Sequence, residues 1–154
     1  MARKLVQKSI SINASAERIW RVITEAQYNV VWLAALGRRK IAQTDWQEGS
    51  KAVFVDDDQT GLITRIRVAR PFEKIRMQNV GMITNGVEDC ESDEAVESRE
   101  FFEQYLFTTD HDSVRMHVEV TVEDDFYNEV SDCWAKALEI IKELAESQSP
   151  TGMP

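Results

Sequence analysis

The stretch KLVQKSISIN ends in strict alternation, Ser9, Ile10, Ser11, Ile12, the two-residue period of a strand with one buried face. The period then lengthens. In ASAERIWRVITEAQYNVVWLAAL, Ala16, Ile19, Trp20, Val22, Ile23 and Ala26 recur at helical spacing, Asn13 or Ser15 is available to cap the first turn, and the pattern breaks around residues 25 to 28. Two short helices are expected there. From Arg38 onward strands return in RKIAQT, SKAVFVD, GLITRIRVA, EKIRMQNVG, REFFEQYLFTT and SVRMHVEVTV, separated by turn signals at Glu48-Gly49, Asp56 to Gly61, Arg70-Pro71 and Asp110 to Ser113. Short links between consecutive strands predict an antiparallel meander. Leu62, Thr64, Ile66 and Val68 alternate with Ile63, Arg65 and Arg67, and Val114, Met116, Val118 and Val120 with Arg115, His117 and Glu119. One sheet face should be apolar and the other mostly wet.

After Asp124 the helical period resumes. Phe126, Val130, Cys133, Trp134, Ala137, Leu138, Ile141, Leu144 and Ala145 form one stripe, and Asp124 and Asp125 suit the positive end of that helix. The expected fold class is α+β: a first strand, two short helices, a curved antiparallel sheet of about six to seven strands, and a long C-terminal helix. Residues 1–147 are expected to form one domain and 148–154 a disordered tail.

Composition narrows the function classes. A chain of 154 residues with 43% hydrophobic and 29% charged residues suits one globular domain with a self-sufficient core. No apolar run approaches the roughly 20 residues that span a bilayer, so no membrane span is expected. The start, MARKLVQKSISIN, alternates instead of entering an apolar block, and the expected location is cytoplasmic. The formal charge of −9 disfavours nucleic acid as a partner, because no basic stripe would release counterions from phosphates. Part of that charge lies in EDCESDEAVESRE, where seven acids between Glu88 and Glu100 face one base, Arg99. The segment Glu88 to Glu97 reads as a solvated acidic loop, with docking of a basic protein surface as the alternative.

Candidate chemistry is sparse. His111 falls in a turn and His117 on the wet strand face, so neither is placed for a buried Ser-His-Asp or Cys-His arrangement. Cys90 sits among carboxylates and Cys133 on the apolar stripe, which makes both thiols inert and gives no disulfide framework or zinc spacing. DDDQTG at Asp56 to Gly61 has the start of a calcium loop, yet its twelfth position is Arg67, where a carboxylate is required; a hairpin turn is expected. No metal site, cofactor or catalytic residue is assigned. Thr64, Asn79, Glu103, Gln104 and Tyr105 are the polar strand residues nearest the apolar face; FFEQYLF is apolar on both sides and leaves the phase of Glu103 open, outward being favoured over an inward carboxyl that could serve as a general acid or base.

The order of elements, with SISINASAERIWRVIT, Trp32 closing the helix pair, DSVRMHVEVT and Cys133-Trp134 on the last helix, resembles the START-like helix-grip (SRPBCC) superfamily. Within it the chain is similar to the C-terminal domain of the heat-shock-protein-90 ATPase activator family, over residues 4 to 146. Ala14, Glu17, Ile19 and Trp20 match the turn, acid and apolar-Trp pair that follow the first strand in such families. The resemblance implies a twisted sheet wrapped on a straight helix, and these touch along their whole length only if large side chains fill the gap. Where they do not, an apolar cavity lined by Trp32, Phe54, Leu62, Ile66, Met77, Tyr105, Phe107, Met116, Trp134 and Leu138 is expected. The preferred function is therefore non-enzymatic binding of a small hydrophobic or amphipathic molecule. Two alternatives stand beside it: a protein-interaction module similar to the chaperone activator domain, and a cyclase- or hydrolase-like enzyme on the same fold.

Overall fold

A computed structural model describes residues 2–37 and 39–147. The expected tail, 148–154, lies outside the described residues. Strand β1 (Arg3–Ile12) leads into helices α1 (Ala16–Thr24) and α2 (Ala26–Leu33). Strands β2 (Ile41–Gln43), β3 (Lys51–Val55), β4 (Gly61–Arg70), β5 (Lys74–Thr84) and β6 (Val87–Asp89) follow, then a short helix α3 (Asp93–Glu97). Strands β7 (Phe102–Asp110) and β8 (Ser113–Glu123) and the helix α4 (Tyr127–Glu146) are the last of the described elements.

Ser15 caps α1, its hydroxyl accepting from the Arg18 N–H at 3.1 Å, and the extended backbone of Glu25 separates the two helices where the periodicity breaks. All strand pairs are antiparallel, in the order β1-β8-β7-β5-β4-β3-β2, with β6 against the far end of β5. Among the described residues the sheet has eight strands. The additional one, β6, is three residues long and too short to show a period.

The core lies between the concave face and α4. Trp134, Ala137, Leu138, Ile141 and Ala145 are the buried residues of α4, and they pack with Val6, Ile12, Ile75, Met77, Tyr105, Met116 and Val118 of the sheet. Phe126, expected to begin the apolar stripe, is instead exposed in a 3-10 turn before the helix. Arg18 ties the helices together, donating to the Tyr28 hydroxyl at 3.0 Å and to the Leu144 carbonyl near the end of α4 at 2.9 Å.

The outer face is less wet than alternation suggests. The register shift between Ile66 and Val68 leaves Arg67 extra in β4, so Ala69, not Val68, packs on the main core, and the shift between Ile63 and Thr64 leaves Val80 extra in β5. On the opposite face Val53, Val55, Ile63 and Ile83 form a second small core with Val80 and Cys90. The acidic segment Glu88 to Glu97 is not a free loop. It folds as β6, paired with β5, and α3, with Cys90 between them packed against this cluster, Ala95 fully buried and Ser92 capping α3. Gly81 allows the approach: a Cβ there would lie 2.4 Å from the Asp89 carbonyl oxygen and 2.7 Å from Cys90 Sγ.

Candidate functional site

The candidate lining residues converge, apart from Leu62. Trp32, Phe54, Ile66, Met77, Tyr105, Phe107, Met116, Trp134 and Leu138 are all buried in the main core, whereas Leu62 is half-buried and lies outside that cluster. Three large rings meet at the centre. Trp32 lies 6.4 Å from Tyr105 and 6.1 Å from Trp134, and Tyr105 lies 5.5 Å from Trp134. Trp32 reaches this position because its indole N–H donates to the Val22 carbonyl at 2.9 Å, locking α2 to α1. Trp32, Ile66, Tyr105 and Met116 have no accessible surface. With these side chains sealed from water and the three rings in contact, side chains fill the gap between sheet and helix at this level.

Within this apolar setting lies a polar group of three. Glu103 points inward, contrary to the outward phase expected from FFEQYLF. Its register settles the matter: Glu103 lies opposite Met77 on β5 and Val120 on β8, and shares a face with Tyr105 two residues on. Arg39 Nη1 donates to Glu103 Oε1 at 2.8 Å, and the Tyr105 hydroxyl donates to Glu103 Oε2 through a short hydrogen bond. The Arg39 guanidinium also lies 5.4 Å from the Phe54 ring centre. Glu103 is 5% exposed and Arg39 18%, which puts the arginine at the outer end of the trio. Burial opposes the Arg39 charge, but Glu103 and Tyr105 more than offset it and the guanidinium is held above its ordinary value. Burial, and then the neighbouring carboxylate, hold the Tyr105 phenol well above the usual tyrosine range.

The other polar strand residues do not join this trio. Thr64 bonds its own sheet, donating to the Ala52 carbonyl at 2.8 Å. Gln104 faces outward, accepting from Arg76 at 2.9 Å and donating to Glu119 at 2.8 Å. The outer face also aligns Ser9 Oγ 2.7 Å from His117 Nδ1, and His117 Nε2 3.1 Å from Glu119 Oε2. This resembles a catalytic order of residue types, but it lies on the outer sheet face with Ser9 exposed, and Glu119 also serves Gln104. It reads as a cross-strand polar ladder. Asp56 to Gly61 is a hairpin turn, Asp56 Oδ1 accepting from the Asp58 and Thr60 N–H groups at 2.8 and 3.1 Å.

At the end of the fold where α1 meets the β2–β3 and β4–β5 connections, a cleft of about 360 Å³ opens to solvent between Trp20 and Trp46. Sequence reading did not single out Trp46. Its signal was present only as an aromatic residue beside a turn. An aromatic chain runs inward from it, Trp46 lying 6.1 Å from Phe54, which in turn lies under Arg39.

Among the described residues no helix is long and apolar enough to cross a membrane. No curated protein matches the sequence. Solved structures share the fold. Protein MLL2253 from Mesorhizobium loti superposes with TM-score 0.71 at 12% identity, covering 95% of this chain and 99% of that one. DynU16, from the dynemicin biosynthetic locus, gives 0.67 at 11% identity, covering 96% of this chain and 49% of that one. The Aha1 dimer from Colwellia psychrerythraea gives 0.65 at 18% identity, covering 96% and 98%. The family described as "Activator of Hsp90 ATPase homolog 1-like protein" matches residues 13–146, so with the helix-grip arrangement and its Trp-bearing α1 and α4 in place, the chain belongs to that family.

Proposed function

We propose that this domain binds a small amphipathic molecule between the sheet and α4, its polar end at Arg39, Glu103 and Tyr105 and its apolar part among Trp32, Phe54, Met77 and Trp134. The observation that carries this reading is the charged pair and phenol set among aromatic side chains in the core. A buried ion pair contributes little net stability, since desolvation offsets most of the attraction and apolar groups of the same volume pack as well. A function that uses the polarity accounts for its presence.

The rings of Trp32, Tyr105 and Trp134 pack against one another, so entry requires them to part and the trio beside them to open. Arg39 suits that opening: it has the largest exposure of the pair, and Gly37, two residues before it, has a φ of 77°. A ligand group that accepts from Arg39 or donates to Glu103 replaces the lost bond. Covering about 200 Å² of apolar ligand surface then contributes on the order of 5 kcal/mol before association costs. The same trio supplies the inward polar pair that an enzyme on this fold needs, but both Glu103 oxygens already accept hydrogen bonds from Arg39 and Tyr105. Binding is the better reading.

The test is a thermal-shift screen with medium-chain acids, alcohols and amides and with aromatic acids, run on the wild type and on Glu103→Gln. Stabilisation by one polar-headed class, reduced in the variant, supports the proposal. The absence of any shift across the set, or shifts unaffected by Glu103→Gln, counts against it. A turnover abolished by the same substitution points to the enzymatic reading.

A second reading rests on the acidic segment. Val87 is 71% exposed beside the carboxylates of β6 and α3, as is Val96 to a lesser degree, a mixture suited to a basic amphipathic protein surface. Loss of a specific partner when Glu91, Glu94 and Glu97 are all changed to Gln favours this reading; retention of every partner removes it.

A further inference from the structure

We infer that the cleft between Trp20 and Trp46 is a binding site for a small organic cation, such as a substituted ammonium group, separate from the buried trio. Its volume of about 360 Å³ fits a compact molecule. Two indoles line it, and the charged residue in its lining is a carboxylate, Asp45. Indole is the strongest aromatic partner for a cation, and an adjacent carboxylate supplies the counter-charge that a neutral aromatic ligand would not use. Thr24, Thr44 and Gln47 add hydrogen-bonding groups around the same space.

The site is held in shape before any ligand arrives. Trp20 is fixed by edge contacts to Phe72 at 6.0 Å and to Phe107 at 5.9 Å. Trp46 is fixed by Phe54, and its backbone N–H donates to Thr44 Oγ1 at 3.0 Å. Asp45 Oδ1 accepts from the Gln47 N–H at 2.9 Å. Hydrogen bonds from the Ser50 hydroxyl and that N–H hold the Asp45 carboxyl below its ordinary value, so it stays charged through the neutral range.

Two bulky residues, Trp46 at φ 60° on the β2–β3 connection and Phe72 at φ 71° on the β4–β5 connection, next to the lining residue Pro71, adopt the left-handed backbone conformation. Such conformations are unfavourable for large side chains and cluster where a ligand is clamped. Here they turn one indole into the lining and set a ring behind the other.

Choline and its uncharged carbon isostere, 3,3-dimethylbutanol, separate charge from shape. Each is titrated into the protein with 15N-labelled indoles, whose four tryptophan N–H signals report location. The expected result is that choline moves the Trp20 and Trp46 signals, with the isostere bound about tenfold more weakly. Asp45→Asn, which keeps an acceptor for the turn, should weaken choline by a similar factor, and Trp20→Leu should abolish the response at Trp46. Folding of each variant is checked by its unchanged Trp32 and Trp134 signals. Equal affinity for the two compounds, no effect of Asp45→Asn, or no response at Trp20 and Trp46 overturns the proposal. Because neither compound depends on Arg39 or Glu103, failure here is independent of the reading for the interior.

Discussion

A carboxylate held between a guanidinium and a phenol beneath aromatic rings behaves as one unit, so substitutions there do not add. Arg39→Met removes the counter-charge of a nearly inaccessible Glu103. It should destabilise the fold by up to about 3 kcal/mol, the low end for a buried pair because the arginine keeps some contact with water. Arg39→Met, Glu103→Leu and Tyr105→Phe together should cost less than that single change, since no polar group is then left unpaired. Urea unfolding of the single and triple variants measures both; a triple variant less stable than the single one contradicts this account. Tyr105 adds a pH dependence of definite sign. Its folded pKa lies above the ordinary 10.0, so the native state keeps a proton that the unfolded chain loses, and its contribution is complete below about pH 10 and lost as pH rises beyond it. Alkaline unfolding curves should therefore show Tyr105→Phe losing less stability above about pH 10 than the wild type. The inward phase of Glu103 was legible from parity alone, since Tyr105 and Phe107 were already assigned inward and Glu103 is two residues before Tyr105. Arg39 was not legible, because a basic residue in a connection carries no periodic signal.

At the scale of elements, the strong periods were readable and the register defects were not. The helix pair, its break near Glu25 and the long α4 follow from spacing and a Ser15 cap. The bulges at Arg67 of β4 and Val80 of β5 depend on how the two strands pair, which no local pattern encodes. The acidic segment shows a similar limit. Its composition reads as solvated, and the apolar positions Ala95 and Cys90 are too few to announce that Ala95 is buried and that Cys90 packs on a second core. Gly81→Ala tests that packing. The new methyl collides with the backbone of Asp89, and overpacking of this kind costs about 1 to 3 kcal/mol. Hydrogen exchange should accelerate first in residues 87–97, while protection in β1 and β8 is kept. Uniform acceleration across the sheet would mean that the segment is not a separate layer.

At the scale of the molecule, the helix-grip fold follows from an amphipathic sheet that must bury its concave face and a helix with one apolar stripe long enough to cover it. Whether a hollow remains depends on side-chain volume. Trp32, Tyr105 and Trp134 take up that space, with the polar trio of Arg39, Glu103 and Tyr105 beside them. The four tryptophans fall into two pairs, Trp32 and Trp134 deep in the core and Trp20 and the largely buried Trp46 lining the cleft, which makes their indole N–H resonances the most direct reporters. The decisive measurement is their response to titration with medium-chain acids, alcohols and amides. An amphiphile that shifts Trp32 and Trp134, with the shift weakened in Glu103→Gln, is the predicted result; Trp32 and Trp134 signals that stay fixed throughout the set would contradict interior binding.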